Sequence, residues 1–167
     1  MTDVFFQQDP PITQMDDDQV FLKGMELLYF AYRDFISWPD DVLHHYGLGR
    51  AHHRVLHFVH RNPGLRVTDL LRLLNITKQS LSRVLSTLID KGYIRQNIGE
   101  QDRRQRLLYL TDKGEDLLTK IARHQKEHLL KACAAAGPEA VEGFWKVLTA
   151  LLNEENREEV LAHVNKP

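Results

Sequence analysis

Gln79, Ser82 and Arg83 carry amide, hydroxyl and guanidinium groups, which can form hydrogen bonds with the edges of bases in the major groove of DNA. They stand in a segment, residues 76–92, whose apolar residues recur at helical spacing. That spacing predicts one amphipathic helix. Its polar face would carry Gln79, Arg83, Ser86 and Asp90, with Ser82 at the edge, and its apolar stripe consists of Leu81, Val84, Leu85, Leu88 and Ile89.

Three further arginines, Arg103, Arg104 and Arg106, follow within a short polar segment that begins at Gly99. The residues on either side, 93–98 and 106–110, are rich enough in β-branched and aromatic side chains to form a two-stranded hairpin. Such a hairpin is marginal alone and has to pack on the helices. A polar helix followed by an arginine-tipped hairpin is typical of a winged helix-turn-helix, which predicts DNA binding.

The residues that precede the amphipathic helix supply the other half of a helix-turn-helix. Residues 66–74 predict a short helix, and Asn75-Ile76-Thr77 predicts a tight turn, since Asn tolerates left-handed backbone geometry. Thr77 is the predicted N-cap of the amphipathic helix, and Gly92 is predicted to end it. Two helices joined by a turn of three residues have the dimensions of the motif.

Charge is segregated along the chain in the way that a nucleic-acid-binding module requires. Between Arg50 and Leu110 there are twelve Lys and Arg against four acids, a net charge of +8, whereas the remaining residues sum to −9. A basic centre between acidic flanks favours DNA contact over a merely solvated charged surface.

The composition restricts the class of protein further. The chain has 167 residues, one domain's worth with helical extensions, and Cys133 is its one cysteine, which excludes an internal disulfide and indicates a reducing compartment. Neither an apolar run of about 20 residues nor a signal-peptide pattern is present. We expect a cytoplasmic protein without a membrane segment or cofactor, in which Cys133 is a small buried residue rather than a reactive thiol.

The flanking segments predict a largely helical scaffold around the DNA-binding part. Residues 1–15 predict a flexible arm, and residues 16–37 predict a helix that ends before Pro39. The chain from 112 to 164 predicts three more helices, the first of them capped by Thr111 and Asp112. The apolar faces of 20–35 and 141–152 exceed what one small domain can cover, which predicts a dimer interface. The residues chosen for this interface are Phe21, Leu28, Phe144 and Trp145.

His53, His57 and His60 fall on one side of a predicted helix over residues 48–60, which raises the question of a metal site. Zinc favours histidine at such spacings but needs further ligands and supporting hydrogen bonds. No carboxylate–histidine motif accompanies the three residues. A solvated, weakly basic face is the favoured interpretation, and no metal site is predicted.

Residues 47–114 resemble the MarR family of bacterial winged-helix regulators. The resemblance is most specific in ITKQSLSRVLSTLIDKGYI and in DRRQRLLYLTDKG, and it covers about the central two-fifths of the chain firmly. It implies a mainly α fold with a small antiparallel β wing, a winged helix-turn-helix over 48–110, and a dimerisation region built from the helices of 16–37 and 112–164.

The resemblance also implies a homodimer on double-stranded DNA with a pseudo-palindromic operator. In the family pattern Asp102 orients Arg104, and Arg104 enters the minor groove. The DNA-binding residues that carry over, together with the other arginines of the wing tip, are Thr77, Lys78, Gln79, Ser80, Ser82, Arg83, Asp102, Arg103, Arg104 and Arg106.

A small, often aromatic effector is a further implication of the resemblance. We expect Tyr32, Trp38 and His52 to converge where the first long helix meets the helix of 48–60, and an apolar crevice with a few polar groups there would suit such a ligand. Core packing is an equally good role for these three residues.

Two other functions compete with transcription regulation. A winged helix used for protein–protein interaction would present an apolar or acidic outer face on residues 77–91, whereas this face is basic and polar. An enzyme is not expected, because no nucleophile–base pair, glycine-rich phosphate loop or paired carboxylates stand out.

Overall fold

The computed structural model describes residues 12–99 and 102–166, so most of the predicted N-terminal arm, residues 1–11, lies outside it. Ile12–Gln14 form a single 3-10 turn. The predicted fold class, mainly α with a small antiparallel sheet, is confirmed. The elements, in order, are α1 Asp17–His45, α2 Arg50–Arg61, β1 Leu65–Arg66, α3 Val67–Leu74, α4 Lys78–Asp90, β2 Ile94–Ile98, β3 Arg106–Leu110, α5 Asp112–Ala136, α6 Pro138–Ala150 and α7 Glu154–Val164.

Helix α1 begins where the sequence predicts but ends eight residues later than expected. Asp16 Oδ1 accepts a hydrogen bond from Gln19 N at 2.8 Å, and Gln19 Oε1 accepts one from Asp16 N at 3.2 Å, a reciprocal cap. The predicted end at Ser37 is wrong, because the helix runs through Pro39 to His45. Proline inside a helix costs about 3 kcal/mol. Ile36, Pro39 and Leu43 share one buried face, and this burial offsets that cost.

A three-stranded antiparallel sheet with the order β1-β3-β2 lies beside the helix-turn-helix. The predicted hairpin is confirmed in β2 and β3, where Ile94 pairs with Leu110 and Ile98 with Arg106. Strand β1, in which Leu65 pairs with Leu108, was not predicted from the sequence. Two residues are too few to show the alternation that identifies a strand.

One buried core supports α2, α3, α4, the sheet and the first half of α5. Its fully buried side chains include Leu56, Leu70, Leu88, Leu108 and Ile121. The spacing of apolar residues predicts that one side of the helix expected over residues 48–60 buries Leu48, Ala51, Val55, Phe58 and Val59. This prediction is wrong for Ala51, which is exposed, and it leaves out Leu56, which is buried. The helix therefore buries a broader face than the prediction assumed.

Within the described chain, one compact unit extends to Gln125 and a second begins at Lys126, inside α5. In the second unit, α6 starts at Pro138 after Gly137, which adopts a positive φ of 84°. Arg157 Nη2 donates to Leu152 O at 2.8 Å and closes the turn between α6 and α7. Among the described residues no helix has the length and apolar character needed to cross a membrane.

Candidate nucleic-acid interface

Helix α4 starts with the cap that its sequence predicts. Thr77 Oγ1 accepts a hydrogen bond from Ser80 N at 3.2 Å and lies 2.9 Å from Ser80 Oγ, to which it donates. These bonds satisfy one of the unpaired N–H groups at the start of the helix. The hydroxyl groups of Thr77 and Ser80 are thus bonded to each other before any partner arrives.

The two faces of α4 differ as the periodicity predicts. Leu81, Leu85 and Leu88 are buried in the core, between 0% and 6% exposed. Every predicted DNA-binding residue of this helix and its cap is exposed: Thr77, Lys78, Gln79, Ser80, Ser82 and Arg83. The helix therefore offers donors and acceptors on a face whose reverse side is fixed by packing.

Two turns set the position of α4. Asn75, between α3 and α4, adopts the left-handed conformation with φ 48° and ψ 49°, which Asn tolerates better than most residues. Gly92, just past the C-cap Lys91, has φ 72°. The N–H of Tyr93 donates to Leu88 O at 2.8 Å, and the N–H of Gly92 donates to Ile89 O at 2.9 Å. These bonds end α4, and β2 begins two residues after Gly92.

The wing closes through a short turn between β2 and β3. Asp102 Oδ1 accepts a hydrogen bond from Arg104 N at 2.9 Å, and Asp102 O accepts one from Gln105 N at 3.0 Å. Gly99 N donates to Gln105 O at 3.1 Å. The Asp102 carboxylate thus binds the backbone N–H of Arg104, and its role in orienting the Arg104 side chain stays a prediction. Glu100 and Gln101 lie outside the described residues.

The three arginines of the wing tip have different surroundings. Arg106 Nη1 donates to Arg103 O at 2.7 Å and to Gln105 O at 3.3 Å, so its guanidinium braces the turn from within the chain. Arg103 and Arg104 extend from that turn as exposed side chains. Arg103 and Arg104 are therefore better placed than Arg106 to reach a partner.

Two basic residues of the +8 segment, Arg66 and Arg50, form ion pairs with acidic side chains. Arg66 forms a two-point contact with Asp69, at 2.6 and 3.0 Å, and this hydrogen bonding raises the pKa of the Arg66 guanidinium. Arg50 Nε lies 2.6 Å from Asp40 Oδ2. The exposed charge that remains for a partner therefore includes Lys78, Arg83, Arg103 and Arg104.

The histidines of α2 have separate neighbours. His60 Nδ1 lies 2.8 Å from Glu115 Oε2, and the ring of His57 meets the ring of Phe58 edge to face. His53 is half-buried, so the prediction of a solvated face is wrong for this residue. Burial lowers the pKa of His53, and the Asp40 carboxylate opposes this shift. Within the described chain no group of three His, Cys, Asp or Glu side chains could hold a metal ion.

The predicted ligand-binding residues make different contacts. The Trp38 indole stacks on the His124 ring with centroids 4.0 Å apart, and Trp38 packs against the buried core. His52 Nδ1 accepts a hydrogen bond from Gly49 N at 3.0 Å, and burial and then the ammonium of Lys91 lower the pKa of His52. Tyr32 is exposed. These contacts support the packing role for Trp38, while ligand binding by the three residues stays a prediction.

The predicted interface residues are large apolar side chains that the chain leaves in solvent. Phe21 is 64% exposed, Leu28 50%, Phe144 48% and Trp145 61%. Cys133 has intermediate exposure, so the prediction that it is buried is wrong.

Two lysines that were not singled out from the sequence lie next to the C-terminal end of α4. They are Lys91, the C-cap residue of α4, and Lys113, in the first turn of α5. Lys91 Nζ donates to Tyr46 O at 2.9 Å, and Lys113 Nζ donates to Lys91 O at 2.7 Å. The local sequence offered a weak signal, because Lys91 stands next to the glycine that ends α4 and basic residues are favoured at helix C-termini. Its partner Tyr46 is 45 residues away and could not be read from that signal.

A short helix, a tight turn, a second helix with an exposed polar face and an antiparallel hairpin together define a winged helix-turn-helix protein. The MarR family model matches residues 46–105. The HTH-type transcriptional regulator PetP of Rhodobacter capsulatus is 47% identical over 136 residues, which cover 81% of this chain and 82% of that protein. The chain belongs to the MarR family. It is therefore a helix-turn-helix transcription regulator and not an enzyme.

Solved structures with the same fold include two that were determined with DNA. Streptococcus pneumoniae FabT in complex with DNA has a TM-score of 0.71 at 22% identity, covering 78% of this chain and 94% of that one. The S. aureus MepR–DNA complex has a TM-score of 0.61 at 22% identity, covering 76% and 94%. At these identities the likeness establishes the fold.

Proposed function

We propose that this chain is a homodimeric, sequence-specific DNA-binding regulator that inserts α4 into the major groove of a pseudo-palindromic operator. The observation that carries the proposal is the exposed polar face of α4 beside a wing whose Arg103 and Arg104 extend into solvent. The DNA in the FabT and MepR structures supports double-stranded DNA as the partner.

On α4, Arg83 is the candidate for a two-point contact with guanine and Gln79 for one with adenine. Each such contact discriminates by about 1–3 kcal/mol. Lys78, with the hydroxyl groups of Thr77, Ser80 and Ser82, would bind phosphates and fix the register of the helix on the duplex.

The wing would act on the neighbouring groove. Arg104 would enter the minor groove, where narrow A/T-rich segments attract arginine, and Arg103 would neutralise phosphate. Asp102 and Arg106 would hold the turn from which both arginines extend, as their hydrogen bonds to Arg104 N and Arg103 O support.

Dimerisation is supported by the apolar face of α1. Phe21, Leu28 and seven other large apolar residues between Val20 and Tyr32 are at least 37% exposed, a patch of the kind that marks interfaces. In the second unit Phe144 and Trp145 are exposed in the same way.

We expect sedimentation to find a dimer at micromolar concentration. The double variant Phe21→Ser, Leu28→Ser should shift the protein towards monomer. Lys120→Ser, which removes an exposed polar side chain, is the control, and a wild-type monomer throughout would contradict the proposal.

The response to an effector rests on Tyr32, Trp38 and His52, for which binding of a small aromatic acid is proposed. The test titrates benzoate and 4-hydroxybenzoate into the protein–operator complex. A shift in melting temperature together with weaker DNA binding, both reduced by His52→Gln, would support the proposal. No shift with either acid would remove these acids as effectors at this site.

The experiment that tests DNA binding is selection of fragments from the protein's own genome, followed by measurement of affinity for selected and random duplexes. A specific regulator will enrich fragments that share an inverted repeat and will bind them far more tightly than random DNA. Equal affinity for all duplexes would favour the alternative, a winged helix used for interaction with proteins.

A further inference from the structure

The turn that follows α4, the proposed recognition helix, comprises residues 91–93 and is held by hydrogen bonds from one distant segment of the chain, residues 111–113. Lys113, in the first turn of α5, donates from Nζ to Lys91 O at 2.7 Å. Thr111 Oγ1 donates to Gly92 O at 2.7 Å, and Thr111 N donates to Tyr93 O at 3.1 Å. All three carbonyl groups of the turn are therefore bonded to residues 111–113.

Lys91 extends the connection to the first helix. Its Nζ donates to Tyr46 O at 2.9 Å, and Tyr46 is the C-cap residue of α1. The approach is close, because a Cβ atom added to Gly47 would lie 2.9 Å from this nitrogen. The Lys91 ammonium thus joins the end of α4 to the end of α1, and the Lys113 ammonium joins the start of α5 to the end of α4.

Both ammonium groups lie where helix electrostatics favour a cation. The carbonyl groups at the C-terminus of a helix carry partial negative charge, which stabilises a nearby cation. Lys91 occupies this position at the end of α1, and Lys113 does so at the end of α4. Lys113 Nζ also lies 4.4 Å from the centre of the Tyr93 ring, within the range of a cation–π contact.

The first turn of α5 packs closely against the turn of residues 91–93. A Cβ atom at Gly114 would clash with Tyr93 O, so a larger residue would push α5 away. Gly114 N is in turn bonded to Thr111 Oγ1 at 3.2 Å. The geometry of the α5 N-terminus and of the α4 C-terminus is therefore set jointly.

We infer that Lys91 and Lys113 are positioning residues for operator binding: they fix the direction of α4 by joining its C-terminal end to α1 and α5, without contacting DNA. This inference rests on the proposed DNA binding through α4. A change in the direction of α4 displaces Gln79 and Arg83 relative to the base edges, and two-point contacts are sensitive to such displacement.

The test compares Lys113→Met and Lys91→Met with Lys113→Arg and Lys120→Met in the full chain. Methionine keeps an unbranched stem and removes the ammonium, whereas arginine restores a donor. Lys120 is an exposed lysine seven residues further along α5, so its variant controls for the loss of one positive charge. Affinities for the selected operator and for single-base operator variants are measured at several salt concentrations, with the melting temperature recorded for each protein.

We expect Lys113→Met and Lys91→Met each to weaken operator binding by about tenfold, the scale of one hydrogen bond to a charged group. The preference among operator variants should flatten, and the dependence of affinity on salt should stay that of wild type. Lys113→Arg should restore the preference, and Lys120→Met should behave as wild type. Should Lys113→Met fail to fold, Lys91→Met decides the question.

Three results would overturn the inference. A salt slope reduced by about 0.9 per half-site would identify a phosphate contact instead. Unchanged operator preference in both methionine variants would show that the bonds do not orient α4. Failure of arginine to restore the preference would assign the effect to side-chain shape. By contrast, a wild-type protein without any operator preference would refute the proposed function itself.

Discussion

The recognition helix and the wing both present arginines to solvent, but they hold them by different means. α4 is fixed from behind by Leu81, Leu85 and Leu88, which are buried in the core. The wing tip is held by hydrogen bonds within residues 99–106, and Ile98 at the end of β2 is 58% exposed. One surface is rigid through burial, whereas the other is shaped by a few polar contacts.

This difference suits the groove that each region is proposed to bind, the major groove for α4 and the minor groove for the wing. Reading base edges requires donors at defined positions, and a helix packed on a core provides them. The width of the minor groove varies with DNA sequence, so a side chain that enters it has to adjust its position. A small turn held by polar contacts allows such movement. We therefore expect the fold to tolerate the loss of contacts in the wing, but not the loss of the buried leucines of α4.

Removing the buried support of α4 should have the greatest effect on stability and on operator binding. Leu88→Ala leaves a cavity in a fully buried site and should lower the free energy of unfolding by about 2–5 kcal/mol, with loss of operator binding. Ile98→Ala is the control in the wing and should change stability by less than about 0.5 kcal/mol. Urea unfolding of both variants measures this, and equal destabilisation would contradict the contrast.

A smaller effect is expected from removing one arginine of each surface. Arg83→Ala should reduce operator affinity by about 1–3 kcal/mol and flatten the preference among operator variants. Arg104→Ala should weaken binding with the major-groove preference retained and with the loss greatest at A/T-rich flanks. Because the variant also removes one positive charge close to the phosphates of each half-site, the salt slope should fall by about 0.9 per charge lost.

A small operator library titrated at several salt concentrations separates the two arginines. Both variants should melt as wild type does, because both side chains are exposed. Identical sequence profiles for the two proteins would remove the proposed division between the grooves.

The smallest effect is expected from Arg106→Met, which removes the hydrogen bonds to Arg103 O and Gln105 O. The wing turn should loosen and operator affinity should fall by less than about 1 kcal/mol, the net value of such a bond near solvent. Since this arginine is proposed to brace the turn, the salt slope should stay close to that of wild type. A reduced slope equal to that of Arg104→Ala would show instead that Arg106 binds phosphate.

The parts of the interface that the sequence could predict are those governed by local rules. The cap at Thr77, the leucine stripe of α4 and the strands of the wing depend on residues a few positions apart. The exposed positions of Gln79 and Arg83 follow from the same periodicity. Their contacts with DNA stay predictions.

The parts that could not be predicted depend on partners distant in sequence. The passage of α1 through Pro39 requires the burial of that proline, and the partial burial of His53 requires neighbours that its own helix does not supply. The bond from Lys91 to Tyr46 and the pairing of β1 with β3 span about 40 residues each. Local sequence patterns predict whether such a residue is buried or exposed, but they do not predict which distant residue it contacts.

The continuity of α1 through Pro39 has a geometric consequence. Asp17 and Pro39 are 22 positions apart in one helix, so the N-terminal end of α1 lies about 33 Å from the buried proline at a rise of about 1.5 Å per residue. Proline has no N–H for the carbonyl four residues before it, and helices bend most readily at such a position. A tilt of about 10° there displaces the far end by about 6 Å. In a dimer formed through that end, the distance between recognition helices, which has to match about 34 Å along the duplex, would change with the angle at a single residue.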